Sequence, residues 1–456
     1  MSLPKQFTGR VAIFFCFIIP TAIAIAQGDT SATKRLREQN KQLEEQVVKI
    51  ADDVYTSVGQ SVSNSSVIIG DDGLVIIDTG MTMEAAQRIV AEFRKITDKP
   101  VKAIIFTHAH GDHTGGAPAF FGKERPQIWA HVNFGSEAKP LHAAGLTYQR
   151  VRGARQAGFK LPADQRINNG IAPVRYPKRG GGAFEAGKES LPTHFLKSER
   201  QKIKIAGIEL ELISAPGETN DQLYVWYPKQ RVLFAGDNFY RSFPNLYAIR
   251  GTPQRNVRLW AESLEKLARE DALALVGGHT NPVLGRDKVR QVLGDYHDAV
   301  KFIHDKTVEG MNKGLTPDQL VQYVRLPEHL ANKDYLQPFY GHPEWGIRSI
   351  FNGYLGWFDG NPTNLFRLPP KDEAERMAKL AGGNAKLLSA AKLALTSNDD
   401  QWAAQLADHL LALDPKNKQV SEIKAEALTK LARNMVNATA RNYYLTVARE
   451  LRESSK

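Results

Sequence analysis

Cysteine is almost missing from this sequence, which contains one, Cys16, among 456 residues. A disulfide within the chain is therefore excluded, and so is a metal site built from several thiolates. Any metal that the protein binds must be held by histidine, aspartate and glutamate side chains.

Long apolar runs are also scarce. The apolar stretch near the N-terminus is shorter than the roughly 20 residues that a membrane-spanning helix needs. It follows Lys5 and Arg10 and ends in Ala24-Ile25-Ala26, which is the pattern of a secretory signal peptide. We therefore predict a signal peptide over residues 1–26, with cleavage near Ala26, and a periplasmic or secreted mature protein without Cys16. An uncleaved membrane anchor is the alternative.

Acidic residues are in the minority, because 49 Asp and Glu face 60 Lys and Arg, which gives a formal net charge of +11. A positive field favours anionic partners, although a solvated basic surface has the same composition. Basic runs interleaved with aromatic residues are absent, so we do not expect nucleic acid as a partner. A small anionic substrate is the expected partner.

Apolar patterns divide the chain into an α/β part and a helical part. β-branched runs at residues 66–70 and 74–78, joined by Asp71-Asp72-Gly73, predict a hairpin. Further strands are predicted over residues 101–106, 203–213, 223–234 and 273–277, and helices over residues 31–50, 83–96, 287–304, 316–324 and much of 372–453. Alternating strands and helices are typical of α/β domains, where reactive side chains lie in loops at strand ends.

The densest cluster of possible metal ligands follows the strand predicted over residues 101–106. It reads Thr107-His108-Ala109-His110-Gly111-Asp112-His113. Burying so many polar side chains without partners is costly, so we interpret the cluster as a metal site, and its imidazole and carboxylate ligands suit zinc. His108 and His110 can face one ion while Asp112 and His113 face a second.

This run matches H-x-H-x-D-H and resembles the signature of the metallo-β-lactamase superfamily. Asp78-Thr79-Gly80 is similar to the superfamily's early Asp-x-Gly turn, whose aspartate orients a metal-ligating histidine. Three later segments occur in the order of the remaining ligands: Pro216-Gly217-Glu218-Thr219, Gly236-Asp237 and Gly278-His279. The resemblance implies an α/β fold, the metallo-β-lactamase αββα sandwich, with a catalytic domain over residues 54–300 after an N-terminal arm over residues 27–53.

Glu218 stands where the superfamily commonly has a histidine, and this departure resembles the alkyl sulfatase branch. The resemblance implies two Zn²⁺ ions per chain. The first is held by His108, His110 and Glu218, the second by Asp112, His113 and His279, and Asp237 bridges both. It also implies that Asp112 and Asp237 take part in catalysis.

Two further segments are similar to that branch. Asn245-Leu246-Tyr247-Ala248-Ile249-Arg250-Gly251 resembles its Asn-Leu-x-x-x-Arg-Gly segment, which implies that Arg250 binds sulfate and that Asn245 helps to orient it. A surface or salt-bridge role is the alternative for Arg250. The segment from Tyr354 to Pro362 is close to the branch's dimerisation signature, which implies an all-α dimerisation domain over residues 301–456 and a homodimer.

Trp345 departs from the branch, whose typical members have a histidine at this position, near the sulfate. We assign Trp345 to packing or to an apolar wall of the substrate site. The predicted function is a secreted binuclear zinc hydrolase that cleaves alkyl sulfate esters to an alcohol and sulfate. A zinc hydrolase of another ester, lactone, β-lactam or phosphoester on the same fold is the alternative. A non-catalytic periplasmic dimer or binding protein is a second alternative, which the complete ligand set disfavours.

Overall fold

The computed structural model describes residues 28–173 and 190–454. The predicted signal peptide, residues 1–26, lies outside these ranges. Among the helices of the described ranges, none is both long and apolar enough to cross a membrane. The strands of the same ranges form two sheets, one with seven strands and one with six.

The first sheet contains its strands in chain order. They are β1 (Gln46–Ala51), β2 (Val54–Val58), β3 (Ser65–Ile69), β4 (Leu74–Ile77), β5 (Val101–Ile105), β6 (Gln127–His131) and β7 (His194–Leu196). Strands β1 to β4 pair antiparallel and β4 to β7 pair in parallel. The predicted hairpin, now β3 and β4, is confirmed. Because β4 and β5 run in parallel, the loops that follow them begin at the same edge of the sheet.

The second sheet has the order β13-β12-β11-β10-β9-β8. Its strands are β8 (Arg200–Ile205), β9 (Ile208–Ser214), β10 (Leu223–Tyr227), β11 (Val232–Gly236), β12 (Ala274–Gly277) and β13 (Val283–Leu284). The predicted strand over residues 203–213 was wrong in one respect, because it is two strands. Ala206 and Gly207 have φ angles of 53° and 79°, and these two residues form the turn that joins the two strands. The predicted strand over residues 223–234 is likewise a hairpin.

Helices surround the sheets and form the C-terminal part of the chain. They are α1 (Ser31–Gln39), α2 (Met83–Arg94), α3 (Gly111–Thr114), α4 (Ala138–Ala143), α5 (Tyr148–Gln156), α6 (Val257–Arg269), α7 (Arg286–Asn312), α8 (Pro317–Tyr323), α9 (Glu328–Ala331), α10 (Pro343–Leu355), α11 (Pro370–Leu380), α12 (Asn384–Thr396), α13 (Asp400–Leu413), α14 (Lys418–Arg433) and α15 (Ala438–Ser454). The predicted helices over residues 83–96, 287–304 and 316–324 correspond to α2, α7 and α8.

The two sheets pack against each other through a shared apolar core, to which β3, β5, β9 and β11 contribute buried side chains. Helix α2 covers the outer face of the first sheet with Ile89 and Phe93. Helices α6 and α7 cover the outer face of the second sheet with Trp260 and Tyr296. The layers are therefore helix, sheet, sheet and helix, and the predicted αββα sandwich is confirmed.

The helical prediction over residues 31–50 was only partly right. Helix α1 ends at Gln39, and residues 46–51 form strand β1, which pairs with β2 at the edge of the first sheet. The β-branched residues Val47, Val48 and Ile50 favour a strand, and the free edge of β2 provides the pairing partner that sequence patterns do not reveal.

The C-terminal helices α11 to α15 pack around a core of their own, and this confirms the all-α character predicted for that region. Helix α7 runs from Arg286 to Asn312 across the predicted boundary at residue 300. Helix α15 packs against α5, which belongs to the long excursion between β6 and β7.

Candidate metal centre

The residues predicted as metal ligands lie in the segments that follow four strands, and Asp112 and His113 belong to the short helix α3. His108, His110, Asp112 and His113 follow β5, Glu218 follows β9, Asp237 follows β11 and His279 follows β12. The structure brings all seven together in three overlapping groups, and the ligand atoms within each group lie within 4.8 Å of one another. Gly278 permits this approach, because a Cβ atom there would overlap Oδ1 of Asp237.

The three groups match the predicted second set of ligands and differ from the predicted first set in the place of His108. Asp112, His113 and His279 form one group, which is the predicted second zinc site. His110, Glu218 and Asp237 form another group. His108 is grouped with His113 and Asp237, but its Nε2 atom also lies 2.9 Å from Nδ1 of His110. The arrangement thus offers donor atoms for two cations with Asp237 between them.

Hydrogen bonds fix the orientation of two of these histidines. Nδ1 of His113 lies 2.8 Å from Oδ2 of Asp78, as expected for the aspartate of the Asp-x-Gly turn. Nδ1 of His108 lies 3.1 Å from the hydroxyl of Thr107, which itself donates to Asp78 at 2.8 Å. The carboxylate can only accept, and the hydroxyl has given its proton to it, so both Nδ1 atoms carry the ring proton. In the neutral rings both Nε2 atoms therefore present lone pairs, as metal ligands must.

His279 has the same orientation for a different reason. Its Nδ1 atom lies 2.7 Å from the carbonyl oxygen of Val62, which can only accept a hydrogen bond. Nδ1 therefore carries a proton, and in the neutral ring Nε2 presents its lone pair to the centre, where it lies 3.3 Å from Oδ2 of Asp237.

The lone pairs of these rings point towards the carboxylate of Asp237. Nε2 of His113 and Nε2 of His279 lie 3.2 and 3.1 Å from its Oδ1 atom, and Nε2 of His108 lies 3.7 Å from its Oδ2 atom. Lone pairs that face a carboxylate repel it unless a proton or a metal cation lies between them. Nε2 of His113 and Oδ1 of Asp237 are also buried without a hydrogen-bond partner in the described part of the chain. The residues therefore fit a metal centre.

The electrostatics of the centre support the same interpretation. Burial lowers the pKa of His108 and of His110 well below its ordinary value, which keeps both rings in the neutral, metal-binding form. Burial acts in the same direction on His113 and His279, but carboxylates led by Asp237 outweigh it and raise the pKa of both rings. The carboxylates thus attract positive charge to the space that a divalent cation would occupy.

Glu218 has a partner that the sequence did not predict, the buried Arg255. Nη2 of Arg255 lies 2.9 Å from Oε1 of Glu218, and both side chains are almost fully buried. The hydroxyl of Tyr240 donates to Oε2 of Glu218 at 3.1 Å. Burial raises the pKa of Glu218 to about 6, and Arg255 opposes this rise. No motif contains Arg255, so only the folded chain identifies it.

Asp221 is a second residue that the sequence did not predict. Its Oδ2 atom accepts from the backbone N–H of Ala109, at 3.1 Å, and from that of Gly135, at 3.0 Å. Ala109 lies between His108 and His110, so Asp221 holds the loop that carries these ligands. The sequence feature that could have indicated Asp221 was its position close to Glu218 in the loop between β9 and β10.

A cavity of about 240 Å³ adjoins the centre. His110, Asp112, Glu218 and Asp237 form its metal-ligand side, and Arg250 and Tyr340 also line it. Within the described ranges, no hydrogen bond or ion pair engages the guanidinium of Arg250, whose backbone N–H donates to Gln156 Oε1 at 3.0 Å. The cavity therefore contains a cation that is free to bind an anion.

The other two residues predicted to contact the substrate do not line the cavity. Asn245 is buried and accepts a hydrogen bond from Arg255 through its carbonyl oxygen, but it does not line the cavity. Trp345 lies on α10, where its ring centroid is 5.6 Å from that of His342, and it does not line the cavity either. Tyr340 reaches the cavity before the chain enters α10 at Pro343, which leaves Trp345 beyond the site.

Comparison with known proteins identifies both parts of the chain. The model of the metallo-beta-lactamase superfamily matches residues 58–279, and that of the alkyl sulfatase dimerisation family matches residues 316–454. The fold and the donor set thus define a member of the metallo-β-lactamase superfamily, as the sequence predicted.

Individual relatives narrow the assignment. A linear primary-alkylsulfatase of Pseudomonas sp. (strain ATCC 19151) is 37% identical over 396 residues, which cover 83% of this chain and 72% of the relative. An (R)-specific secondary-alkylsulfatase of Pseudomonas sp. is 31% identical over 414 residues, with 88% of this chain and 61% of the relative covered. The chain belongs to the alkyl sulfatase family of the metallo-β-lactamase superfamily, which confirms the predicted resemblance.

A solved structure agrees with this assignment over nearly the whole chain. The stereoselective inverting sec-alkylsulfatase Pisa1 from Pseudomonas sp. superposes with a TM-score of 0.86 at 28% identity, covering 94% of this chain and 69% of that one. The chain is thus shorter than these relatives and spans between 61% and 72% of the two curated ones described above.

Proposed function

We propose that the protein is a secreted binuclear zinc hydrolase that cleaves alkyl sulfate esters to an alcohol and sulfate. The observation that carries the proposal is the free guanidinium of Arg250 in a cavity that adjoins the buried metal-ligand donor set. The alkyl sulfatases among its relatives support the substrate class. The signal-like N-terminus supports a periplasmic or secreted location.

His108, His110 and Glu218 would hold one cation, and Asp112, His113 and His279 the other, with Asp237 between them. Divalent zinc in such a site lowers the pKa of water towards about 7 and withdraws charge from the oxygens of an ester. Asp78 and Thr107 would keep the imidazole lone pairs directed at such cations. Asp221 fixes the loop between His108 and His110.

Arg250 would bind the sulfate group of the substrate. Its planar guanidinium can donate two parallel hydrogen bonds to two sulfate oxygens. Arg255 cannot take this role, because Glu218 already pairs with it at 2.9 Å and it is buried without lining the cavity. Arg255 would thus pair with Glu218 inside the protein, while Arg250 would bind the substrate.

Tyr340 is placed to contribute a further hydrogen bond to the substrate. It lines the cavity, and its hydroxyl has no hydrogen-bond partner within the described ranges. Trp345 replaces the histidine found in typical members, so Tyr340 is the candidate for the polar contact that this histidine makes there.

The rest of the cavity suits an alkyl chain. Its apolar side chains include those of Val62, Met81, Ala138, Leu141, Ala157 and Phe159. Burying a methylene group is worth about 0.8 kcal/mol, so several contacts of this kind would favour substrates with an alkyl tail over small sulfate esters.

The C-terminal helices would form a homodimer. Trp357 and Phe366 are 71% and 94% exposed, and they lie in a segment with other exposed apolar residues: Tyr354, Leu355, Leu365 and Leu368. Exposed apolar patches of this kind mark interaction surfaces. The match to the alkyl sulfatase dimerisation family supports a second copy of the chain as the partner.

Sulfate release from dodecyl sulfate by the full-length, zinc-loaded protein tests the proposal, with zinc content measured on the same sample. Release that disappears in His110→Ala is the expected result. A protein that keeps two equivalents of zinc and releases no sulfate would overturn the sulfatase assignment, and phosphate esters, lactones and β-lactams would then be the substrates to try.

A further inference from the structure

One face of helix α5 holds the backbone on both sides of Arg250. Gln149 and Arg152 donate to the carbonyl oxygens of residues 251 and 249, the second at 2.6 Å. Gln156 accepts from the N–H of Arg250 itself at 3.0 Å. Residues 149, 152 and 156 share one face of the helix, since residues three and four apart lie above one another.

The C-terminal end of α5 rests on α15 in the helical domain. The side-chain amide of Asn442 donates to the backbone carbonyl oxygen of Gln156 at 3.3 Å and to that of Asn168 at 3.0 Å. Asn442 is 1% exposed, and a Cβ atom on Gly158 would lie 2.9 Å from its Cγ atom. The contact is therefore closely packed, and a larger side chain on either partner would disturb it.

Ion pairs at the rim reinforce the same contact. Glu450 of α15 pairs with Arg155 at 2.7 Å and with Lys160 at 3.0 Å. These side chains are partly exposed, and exposed ion pairs contribute little. The buried hydrogen bonds of Asn442 are therefore the part of the contact that we expect to matter most.

We propose that Asn442 and Gln156 are positioning residues for Arg250, so that the C-terminal helical domain completes the anion-binding wall of the cavity. The part of this proposal that concerns sulfate rests on the proposed function. The guanidinium of Arg250 has no polar partner within the described ranges, so its backbone is what the protein can fix. Two-point recognition of sulfate needs such a fixed approach, and small displacements weaken it.

Hydrogen–deuterium exchange of the Arg250 amide in the full-length protein tests the positioning role without any substrate. In Asn442→Leu and in Gln156→Leu, the Arg250 amide should exchange about fivefold faster than in the wild type. This is the factor expected for the loss of one buried hydrogen bond. Gln156→Glu keeps the accepting oxygen, so its Arg250 amide should exchange at the wild-type rate. Thr446→Val is the matched control, because Thr446 is buried one turn along α15 and donates within its own helix.

An Arg250 amide that exchanges at the wild-type rate in both leucine variants would overturn the proposal. If Asn442→Leu loses its overall fold, seen as faster exchange throughout β5, the pair Gln156→Leu and Gln156→Glu decides the question. Equal exchange in these two variants would also overturn it.

Activity on dodecyl sulfate links the positioning role to the substrate. Gln156→Leu should raise KM about fivefold at unchanged zinc content, in line with one lost hydrogen bond, and should add nothing in an Arg250→Ala background. Full additivity of the two substitutions would overturn the proposal. If the wild type released no sulfate, the proposed function would fail, and the exchange measurement would still decide the positioning role.

Discussion

The substitution Asp78→Asn would change the proton on a metal ligand while keeping the shape of the side chain. Asp78 accepts from the N–H and the hydroxyl of Thr107, at 2.9 and 2.8 Å, and from Nδ1 of His113 at 2.8 Å. Asparagine places an NH₂ group at one of the two oxygen positions. If this group faces His113, it donates to Nδ1 and forces the ring proton onto Nε2, the atom that should bind the metal.

The opposite orientation of the asparagine side chain is also unfavourable. Its NH₂ group then faces the backbone N–H of Thr107, and both groups are donors. A buried donor without an acceptor costs about 1–3 kcal/mol, and we expect the free energy of unfolding of the metal-free protein to fall by this amount. Loss of the group that orients a ligating histidine typically lowers metal affinity about 10- to 100-fold. We expect that loss of zinc affinity in Asp78→Asn.

Competition with a chromophoric chelator would measure zinc affinity, and denaturant unfolding would measure stability. Asp53→Asn is the matched control, since Asp53 accepts from the hydroxyl of Tyr227 at 2.7 Å in the turn between β1 and β2. It should bind zinc like the wild type. Wild-type zinc affinity in a folded Asp78→Asn variant would refute the reasoning about the proton on His113.

Four other substitutions or treatments have defined outcomes. Arg250→Ala should raise KM for dodecyl sulfate at least tenfold at unchanged zinc content, since hydrogen bonds between charged groups are worth about 1.5–3 kcal/mol. Tyr340→Phe should lower kcat/KM for this substrate by about fivefold, as expected for one lost hydrogen bond. Trp357→Ser combined with Phe366→Ser should shift the protein from dimer to monomer in sedimentation velocity. Removal of zinc by a chelator should lower Tm and abolish sulfate release, and zinc should restore both.

Each of these expectations can fail in a recognisable way. A wild-type KM in the Arg250→Ala variant would mean that Arg250 does not bind the sulfate group and has only a surface or salt-bridge role. A Tyr340→Phe variant with unchanged kinetics would remove its hydroxyl from substrate contact. A dimer that survives both serine substitutions has its interface elsewhere, and a Tm that does not respond to zinc contradicts the metal centre.

The metal-ligand set was accessible from sequence because its members lie in short segments at strand ends. His108, His110, Asp112 and His113 fall within six consecutive residues, and the strand before them fixes where their segment begins. Glu218, Asp237 and His279 each follow a strand of the second sheet, so the order of the strands predicts their order around the site.

The supporting contacts were not accessible, because they join segments that are distant in sequence. Asp221 holds Ala109 across 112 positions, and Asn442 reaches Gln156 across 286. Trp345, predicted as a packing residue or an apolar wall of the substrate site, lies on α10 and is not among the residues that line the cavity. Spacing along a chain locates a residue in its own segment and does not fix which way that segment faces.

The glutamate at position 218 and the arginine at position 255 are best understood as one unit. Burial alone would lower the pKa of Arg255, and Glu218 raises it instead, so the pair carries its charges inside the protein. A histidine at position 218, as is common in the superfamily, would leave Arg255 buried and unpaired. Breaking a buried pair in this way costs about 3–5 kcal/mol, a large part of the stability of a typical domain. Arg255 therefore requires a carboxylate at position 218, and because Glu218 pairs with Arg255, the guanidinium of Arg250 would be the one left for the substrate.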